Sequence, residues 1–465
     1  MCGVNMADTR PAPYRRLLGA AAGPRGLLLA IGIGVALRLI AIAVIDAETV
    51  NLHEFGTIGH NIVDGHGFSY HAVGPDGTIQ TDGARGDATL LTGPRLPSAF
   101  LPPAYTAVVA GAIASVGGHV ATVHLLQLLN LVVAVGATVL MYRLGRLLGG
   151  SVAGTAAAWG FALYPPLIYA ATQVSAVNLY LPLEMAVMLA LLEAARRTGL
   201  RATVVAVTVA AVALGVLCLF RSEAIILAPV AAVFLVLARR RYRRGRAALA
   251  GALVLCLALV LPAAWIARNN LVLDRPVLTI TTSGGFNLWI GNHDGATGSQ
   301  KQYATPAATE QAIARLPVTD GYEVDLDGLY RSEALRSILG DPLGTAVRDL
   351  GKLAMMLGVD VHDSRATHPL YLGSWAVLLV LGIGGLVTAR RRGPVRWLLF
   401  GQLAVALAVP TVFFALARHR LGVEFVLLLY AGAFLARFAA RGPAAAAPTA
   451  VPAPASPGRD EPAAR

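Results

Sequence analysis

Apolar runs of membrane-crossing length recur along the 465-residue chain, and they constrain its fold more than any other feature. A helix needs roughly 20 apolar residues to cross the hydrocarbon core of a bilayer. The runs 27–45, 120–142, 151–171, 179–195, 202–220, 223–238, 247–266, 371–389, 395–416 and 420–437 have that character. Charged residues make up 14% of the chain and hydrophobic ones 56%, whereas a soluble domain carries about a quarter of its residues as charges. That leaves too little polar surface to cover a water-soluble globule. Disorder, a disulfide scaffold and an ordinary cytosolic enzyme are excluded together. The fold class is an all-α polytopic membrane protein.

The net charge of +12 could point to nucleic acid, but the arginines fall in short clusters between the apolar runs, the pattern of cytoplasmic membrane loops. No nucleic-acid partner is expected. The same clusters decide the reading of an eleventh apolar run, 101–117. If it does not cross, Arg143 and Arg146, Arg196 to Arg201, Arg239 to Arg246, and Arg390 to Arg396 all share the cytoplasmic side with the arginine-rich N-terminus. Ten spans with both termini cytoplasmic follow, and the first is an uncleaved span, not a signal peptide. Arginine in place of lysine, with abundant alanine, points to a GC-rich bacterial genome, and the expected location is the bacterial inner membrane. Cys2, Cys218 and Cys256 form no disulfide framework. The organisation reads as an N-terminus (1–26), a membrane core (27–266) that includes a first outer segment (46–119), a second outer segment (267–370), C-terminal spans (371–437) and a disordered tail (438–465).

Function tends to sit in long segments between packed helices. In the first outer segment Phe55, Ile58, Ile62 and Val63 recur at helical spacing, which predicts a short amphipathic helix from His53 to Val63 stopped by Gly65 and Gly67. Glu54 lies at its start, level with the membrane surface. A partly desolvated carboxylate there suits a general base, while the structural alternative is a charge that complements the helix N-terminus.

That carboxylate is followed by Gly65-His66-Gly67-Phe68-Ser69 and then by Phe100-Leu101-Pro102-Pro103-Ala104-Tyr105. Further on come Tyr164-Pro165-Pro166-Leu167-Ile168-Tyr169, Trp265-Ile266-Ala267-Arg268-Asn269, and Thr282 through His293 with Gly295-Ala296-Thr297-Gly298. Arg418-His419-Arg420-Leu421 completes the set. In order and position these resemble the protein mannosyltransferase and aminoarabinose transferase group of GT-C-fold membrane glycosyltransferases, over residues 27 to about 437. The resemblance implies a GT-C-type helical bundle with two outer loop regions. It also implies a polyprenyl-phosphate-linked sugar as donor, a glycan, lipid or protein as acceptor, and inversion at the anomeric carbon. Glu54 then matches the first-loop acidic base. Two departures stand out: many relatives carry Asp-Glu where this chain has His53-Glu54, and Ser/Thr-Glu where it has Ala176-Val177-Asn178.

Arginines on the outer side oppose the positive-inside trend and are candidates for holding the lipid phosphate: Arg221, Arg268, Arg418 and Arg420. The alternative is that each snorkels or pairs with neighbours such as Glu223 and Glu424. The glycine-rich stretch from Gly284 to Gly298 lacks the lysine and following helix signal of a P-loop. Asn287, Trp289, Asn292 and His293 fit a sugar-contacting turn or a packed one. His53, His60, His66 and His71, with Asp64, match no ligand spacing, so neither a metal nor a nucleotide cofactor is expected. Segment 322–357 reads as amphipathic helices that roof the cavity. The reading is a glycosyltransferase embedded in the bilayer; its rivals are a lipid-linked-sugar flippase, for which no internal repeat is seen, and an inactive scaffold.

Overall fold

The computed structural model describes residues 23–81, 86, 91–240, 244–301, 304–389 and 393–440. The expectations for most of the N-terminus (1–22) and for the tail from 441 onward fall outside the described residues.

Nine helices among the described residues are long and apolar enough to cross a membrane, and the chain is a multi-pass membrane protein. The first is α1 (Pro24–Val44). The short helix α2 (His53–Val63) and the helix α3 (Pro103–Val116) follow it. At 1.5 Å per residue α3 is about 21 Å long, short of the roughly 30 Å core. The long helix α4 (His119–Leu163) is two arms joined at Gly149 and Gly150, whose φ values are −148° and 81°. Gly145 of one arm lies against Ala153 and Ala157 of the other, and Gly154 against Tyr142, so the chain doubles back. The expected spans 120–142 and 151–171 are these two arms, the second ending where Pro165 and Pro166 open the short α5 (Pro165–Ala170).

The remaining core helices are α6 (Val177–Arg196), α7 (Leu200–Phe220) and α8 (Leu227–Arg239), the last entered through a tight 3-10 turn at Ser222–Ile226. Helices α9 (Arg244–Ala258) and α10 (Val260–Val272) share one span. The outer segment that follows holds α11 (Gly284–Asn292), α12 (Ala307–Ile313), α13 (Tyr322–Gly340) and α14 (Pro342–Leu357). The chain returns to the bundle with α15 (Pro369–Thr388), α16 (Pro394–Val412) and α17 (Leu421–Ala440). Lipid tails are as apolar as leucine, so these helices gain by close packing of small residues. Gly432 of α17 sits against Ala153 and Ala157, and Gly382 and Gly385 of α15 sit against Leu427 and Tyr430.

Arg38, buried within α1, is explained by the proline pair. Pro165 and Pro166 lack the N–H groups that would bond the Phe161 and Ala162 carbonyls. Arg38 supplies the donors instead: Nη1 to Ala162 O at 3.1 Å and Nη2 to Phe161 O at 3.5 Å. Arg38→Met is expected to leave both carbonyls unpaired in an apolar setting, at about 1–3 kcal/mol each. A fall in the thermal midpoint of the detergent-solubilised protein checks this.

The first outer segment contains a small antiparallel sheet that periodicity did not reveal, ordered β2-β1-β3 from β1 (Ser69–Val73), β2 (Ile79–Gln80) and β3 (Arg95–Pro97). Glu323 at the start of α13 joins the two outer segments into one cap. Its carboxylate accepts from the Ala99 backbone N–H at 2.9 Å and from the Thr282 hydroxyl at 2.8 Å. His71 approaches the other oxygen at 3.6 Å. Burial drives the His71 imidazole down to about 4 and raises the Glu323 carboxyl, so at neutral pH this contact is not an ion pair.

Candidate active site

The expected amphipathic helix is α2, with the bounds His53–Val63. Its apolar face is held by α3. Phe55 meets Tyr105 edge-on at 4.8 Å, and Gly59 leaves room for Ile113 and Ala110. The proline-rich motif therefore serves to start α3 and brace α2: Pro102 and Pro103 open the helix, and Tyr105 is 1% exposed. His53 has a φ of 55°, the sole positive value at a non-glycine among the described residues. Residues held in that region are uncommon and cluster at functional sites. The strained residue stands directly before Glu54, which is half-buried.

Glu54 shares electrostatic surroundings with a set of cations. Arg418 lies within range of Glu54, Glu223, Tyr180 and Arg365. His53 lies within range of Glu54, Arg418, Arg365 and Lys301. The Arg418 side chain is exposed. Burial lowers the His53 imidazole below its ordinary value, Glu54 opposes that, and Arg418, Arg365 and Lys301 add to it. His53 is therefore neutral at pH 7. Burial also lowers Lys301, reinforced by Arg365 and Arg418 and opposed by Asp363 and Asp360.

Lys301 and Arg365 come from the segment 267–370. The glycine-rich stretch from Gly284 to Gly298 opens with α11, which starts at its glycine pair. Gly291 lets the backbone of Phe413 pass, because a Cβ there would overlap the Phe413 carbonyl oxygen. Asn292 donates to the Val412 carbonyl at 2.9 Å and accepts from Lys352 at 2.9 Å. Beyond it the Ala415 N–H donates to Gly298 O at 2.8 Å, and Gln300 N–H donates to Ala415 O at 3.1 Å. This short parallel pairing sets Lys301 beside the turn Ala417–Arg420 that carries Arg418. Gly291→Val is expected to force the two backbones apart at about 1–3 kcal/mol and to lower activity with it. Comparison of folded yield and turnover with those of wild type tests this.

The expected phosphate arginines part company. Arg221 ends α7, lies 4.9 Å over the Tyr180 ring and is paired with Glu223 at 2.6 Å. It joins the Arg418 set through Tyr180 and Glu223, which feel both arginines. Behind them Glu184 is buried in α6 and accepts from Gln402 of α16 at 2.6 Å. Arg268 instead ties the cap to α10: it donates to Ser98 O at 2.6 Å and Phe68 O at 3.3 Å and stacks over Trp265. Arg420 is committed to Glu424 at 2.6 Å, to the Trp375 ring at 4.3 Å and to the Gly358 carbonyl. The structure thus sets Arg418 within range of Glu54, links Arg221 to Arg418 through Tyr180 and Glu223, and leaves Arg268 and Arg420 as ties.

The four outer-turn residues are placed as follows. Trp289 is fully buried, donates to Glu333 at 2.9 Å and stacks on His293 at 4.2 Å. His293 contacts the Trp289 carbonyl at 2.9 Å, Asn292 is held as described, and Asn287 is half-buried on α11. Asn178, at the second departure, closes the turn before α6 by donating to Ala170 O at 2.8 Å. Sequence reasoning missed Lys301, Arg365, Tyr180 and Glu184 as members of the cluster. Two carried a signal: Lys301 is one of two lysines, and both Lys301 and Arg365 are cations in the segment 267–370 that the sequence leads one to expect on the outer side. Among the described residues no group of three or more His, Cys, Asp or Glu side chains is placed to hold a metal ion.

No family model matches the chain, and no curated protein sequence does. Among solved structures it resembles the Archaeoglobus fulgidus oligosaccharyltransferase tethered with an acceptor peptide containing the NVT sequon. There the identity is 14%, the TM-score is 0.55, and 90% of this chain and 49% of that one are covered. The same enzyme in complex with Zn and sulfate gives 15%, 0.53, 88% and 48%. ArnT from Cupriavidus metallidurans bound to undecaprenyl phosphate gives 14% identity and a TM-score of 0.38, over 88% of this chain and 77% of that one. These are GT-C-fold glycosyltransferases. The fold of this chain is likewise the GT-C polytopic helical bundle. The chain spans about half the length of the oligosaccharyltransferase it matches.

Proposed function

We propose that this chain is a membrane glycosyltransferase that moves a sugar from a polyprenyl-phosphate-linked donor to an acceptor hydroxyl at the outer face of a bacterial inner membrane. The observation that carries the reading is a shared electrostatic neighbourhood: the Glu54 carboxylate stands in the field of Arg418, with Lys301 and Arg365 beside it. A transfer from a phosphate needs those two functions and little else. Glu54 takes the proton of the acceptor hydroxyl as its oxygen attacks the anomeric carbon. The bond from that carbon to the phosphate oxygen breaks, and the electron pair leaves on the phosphate, where the cations stabilise it. Attack opposite the leaving group inverts the sugar. His53, neutral and beside Glu54, orients the base or the acceptor by hydrogen bonding.

Arg221 holds its place through Glu223 and Tyr180 and adds positive potential to the phosphate side. Trp289, Asn292 and His293 act as framework for the Arg418 turn, Arg268 and Arg420 as structural ties, and Asn287 as the α11 residue nearest a sugar-binding role. A flippase would share the cations and need no base. The experiment is release of polyprenyl phosphate from labelled polyprenyl-phosphate hexose or pentose by the purified protein, with cell-envelope mass spectrometry to find the acceptor. Movement of intact donor across the bilayer without any new glycosidic bond would refute the reading.

A further inference from the structure

A cationic hollow lies at the other end of the bundle. Arg418 begins the last span and Arg437 nearly ends it, roughly 28 Å apart at 1.5 Å per residue. Around Arg437 the α4 hairpin turn, the end of α15 and the start of α16 enclose about 340 Å³, lined by Arg146, Arg396, Arg437, Tyr430, Gly149 and Gly150 among others. Its lining contains three arginines and no carboxylate, and among the described residues none of the three is in an ion pair. Arg396 donates to the Ala389 carbonyl at 3.1 Å, and Arg146 lies 5.5 Å over the Tyr142 ring, so two of the guanidinium groups are fixed in position.

Two further observations separate this hollow from arginines that merely meet headgroups at a loop. Tyr430 is fully buried, and its hydroxyl has no hydrogen-bond partner. With no exposed surface it packs behind the lining and closes the wall of the hollow. The wall is also built to close tolerance: a Cβ at Gly385 would overlap the Tyr430 carbonyl, and one at Gly149 would press on Ala153. Three like charges around one space repel unless an anion sits between them, and guanidinium groups match phosphate oxygens well. The remaining wall is apolar, from Leu148, Ala433 and Ala436, which suits the glycerol and first methylenes of a lipid.

We infer that this hollow is a phosphate-binding site occupied by the headgroup of an anionic lipid from the leaflet opposite Glu54. It is independent of the proposed transferase site. Basic pockets between transmembrane helices are suited to such headgroups.

The test is native mass spectrometry and thermal-shift titration of the purified full chain with phosphatidylglycerol, phosphatidylcholine or inorganic phosphate. Wild type is expected to retain phosphatidylglycerol over phosphatidylcholine by about tenfold, because both offer a phosphate but only phosphatidylcholine adds an ammonium that the arginines repel. R396A combined with R437A should lose that preference. Arg201→Ala, an exposed arginine outside the hollow, should change nothing. Inorganic phosphate that displaces the lipid at millimolar concentration would identify free phosphate as a source, and failure to displace would identify the lipid; both keep the phosphate site. Equal retention of the two lipids by wild type, or an unchanged preference in the double variant when its melting transition is intact, would overturn the inference.

Discussion

Glu54→Gln is expected to lower sugar transfer by about 10²- to 10⁴-fold, the span that positioned general bases contribute. At 1.36 kcal/mol per decade that is roughly 3–5 kcal/mol of transition-state stabilisation. Glutamine keeps the size and hydrogen-bonding reach of the side chain and removes its capacity to take a proton. The loss should therefore fall on kcat and leave donor KM close to wild type, because the proton moves only in the transition state. Folding should be unaffected: Glu54 is half-buried, and the packing of α2 rests on Phe55, Ile58 and Gly59. Steady-state release of polyprenyl phosphate, read beside an unchanged melting transition, is the measurement. Full activity in the glutamine variant would remove Glu54 from the chemistry.

Arg418 and Arg420, two residues apart, are expected to fail in different ways. Arg418→Ala should cost about 10²- to 10³-fold in kcat, the size of losing one preorganised group that stabilises developing negative charge, with folding retained because its side chain is exposed. Arg418→Lys should recover part of that, since a lysine keeps the charge and loses the fork. Arg420→Ala should instead destabilise the protein by about 3–5 kcal/mol, because it leaves Glu424, 1% exposed, without its partner. Introducing Glu424→Gln alongside should restore part of the stability by removing the stranded charge. Paired measurements of turnover and thermal midpoint separate the two arginines; an Arg420→Ala protein that folds normally and loses only turnover would reverse their assignment.

The same turn shows how far sequence reasoning reaches. Outer-side arginines were legible at 221, 268, 418 and 420 because they break the positive-inside trend. Their roles were not, since a single sequence places no partner opposite a side chain. Glu424 lies one helical turn beyond Arg420 and claims it, whereas the carbonyls that claim Arg268 come from Phe68 and Ser98, 200 and 170 residues away. Lys301 and Arg365 carry no motif of their own. They come within range of Arg418 because residues 298–300 pair with Ala415 and because Arg365 lies in the turn that leads into α15.

By itself the sequence determined the parts governed by local rules: membrane-length apolar helices and the amphipathic helix that presents Glu54. Solvent partition and backbone hydrogen bonding act residue by residue, and their periods are written in the chain. Tertiary structure alone decided which charges meet. Ion pairing and the walls of a hollow depend on distances between segments far apart in the chain, which no spacing along it encodes.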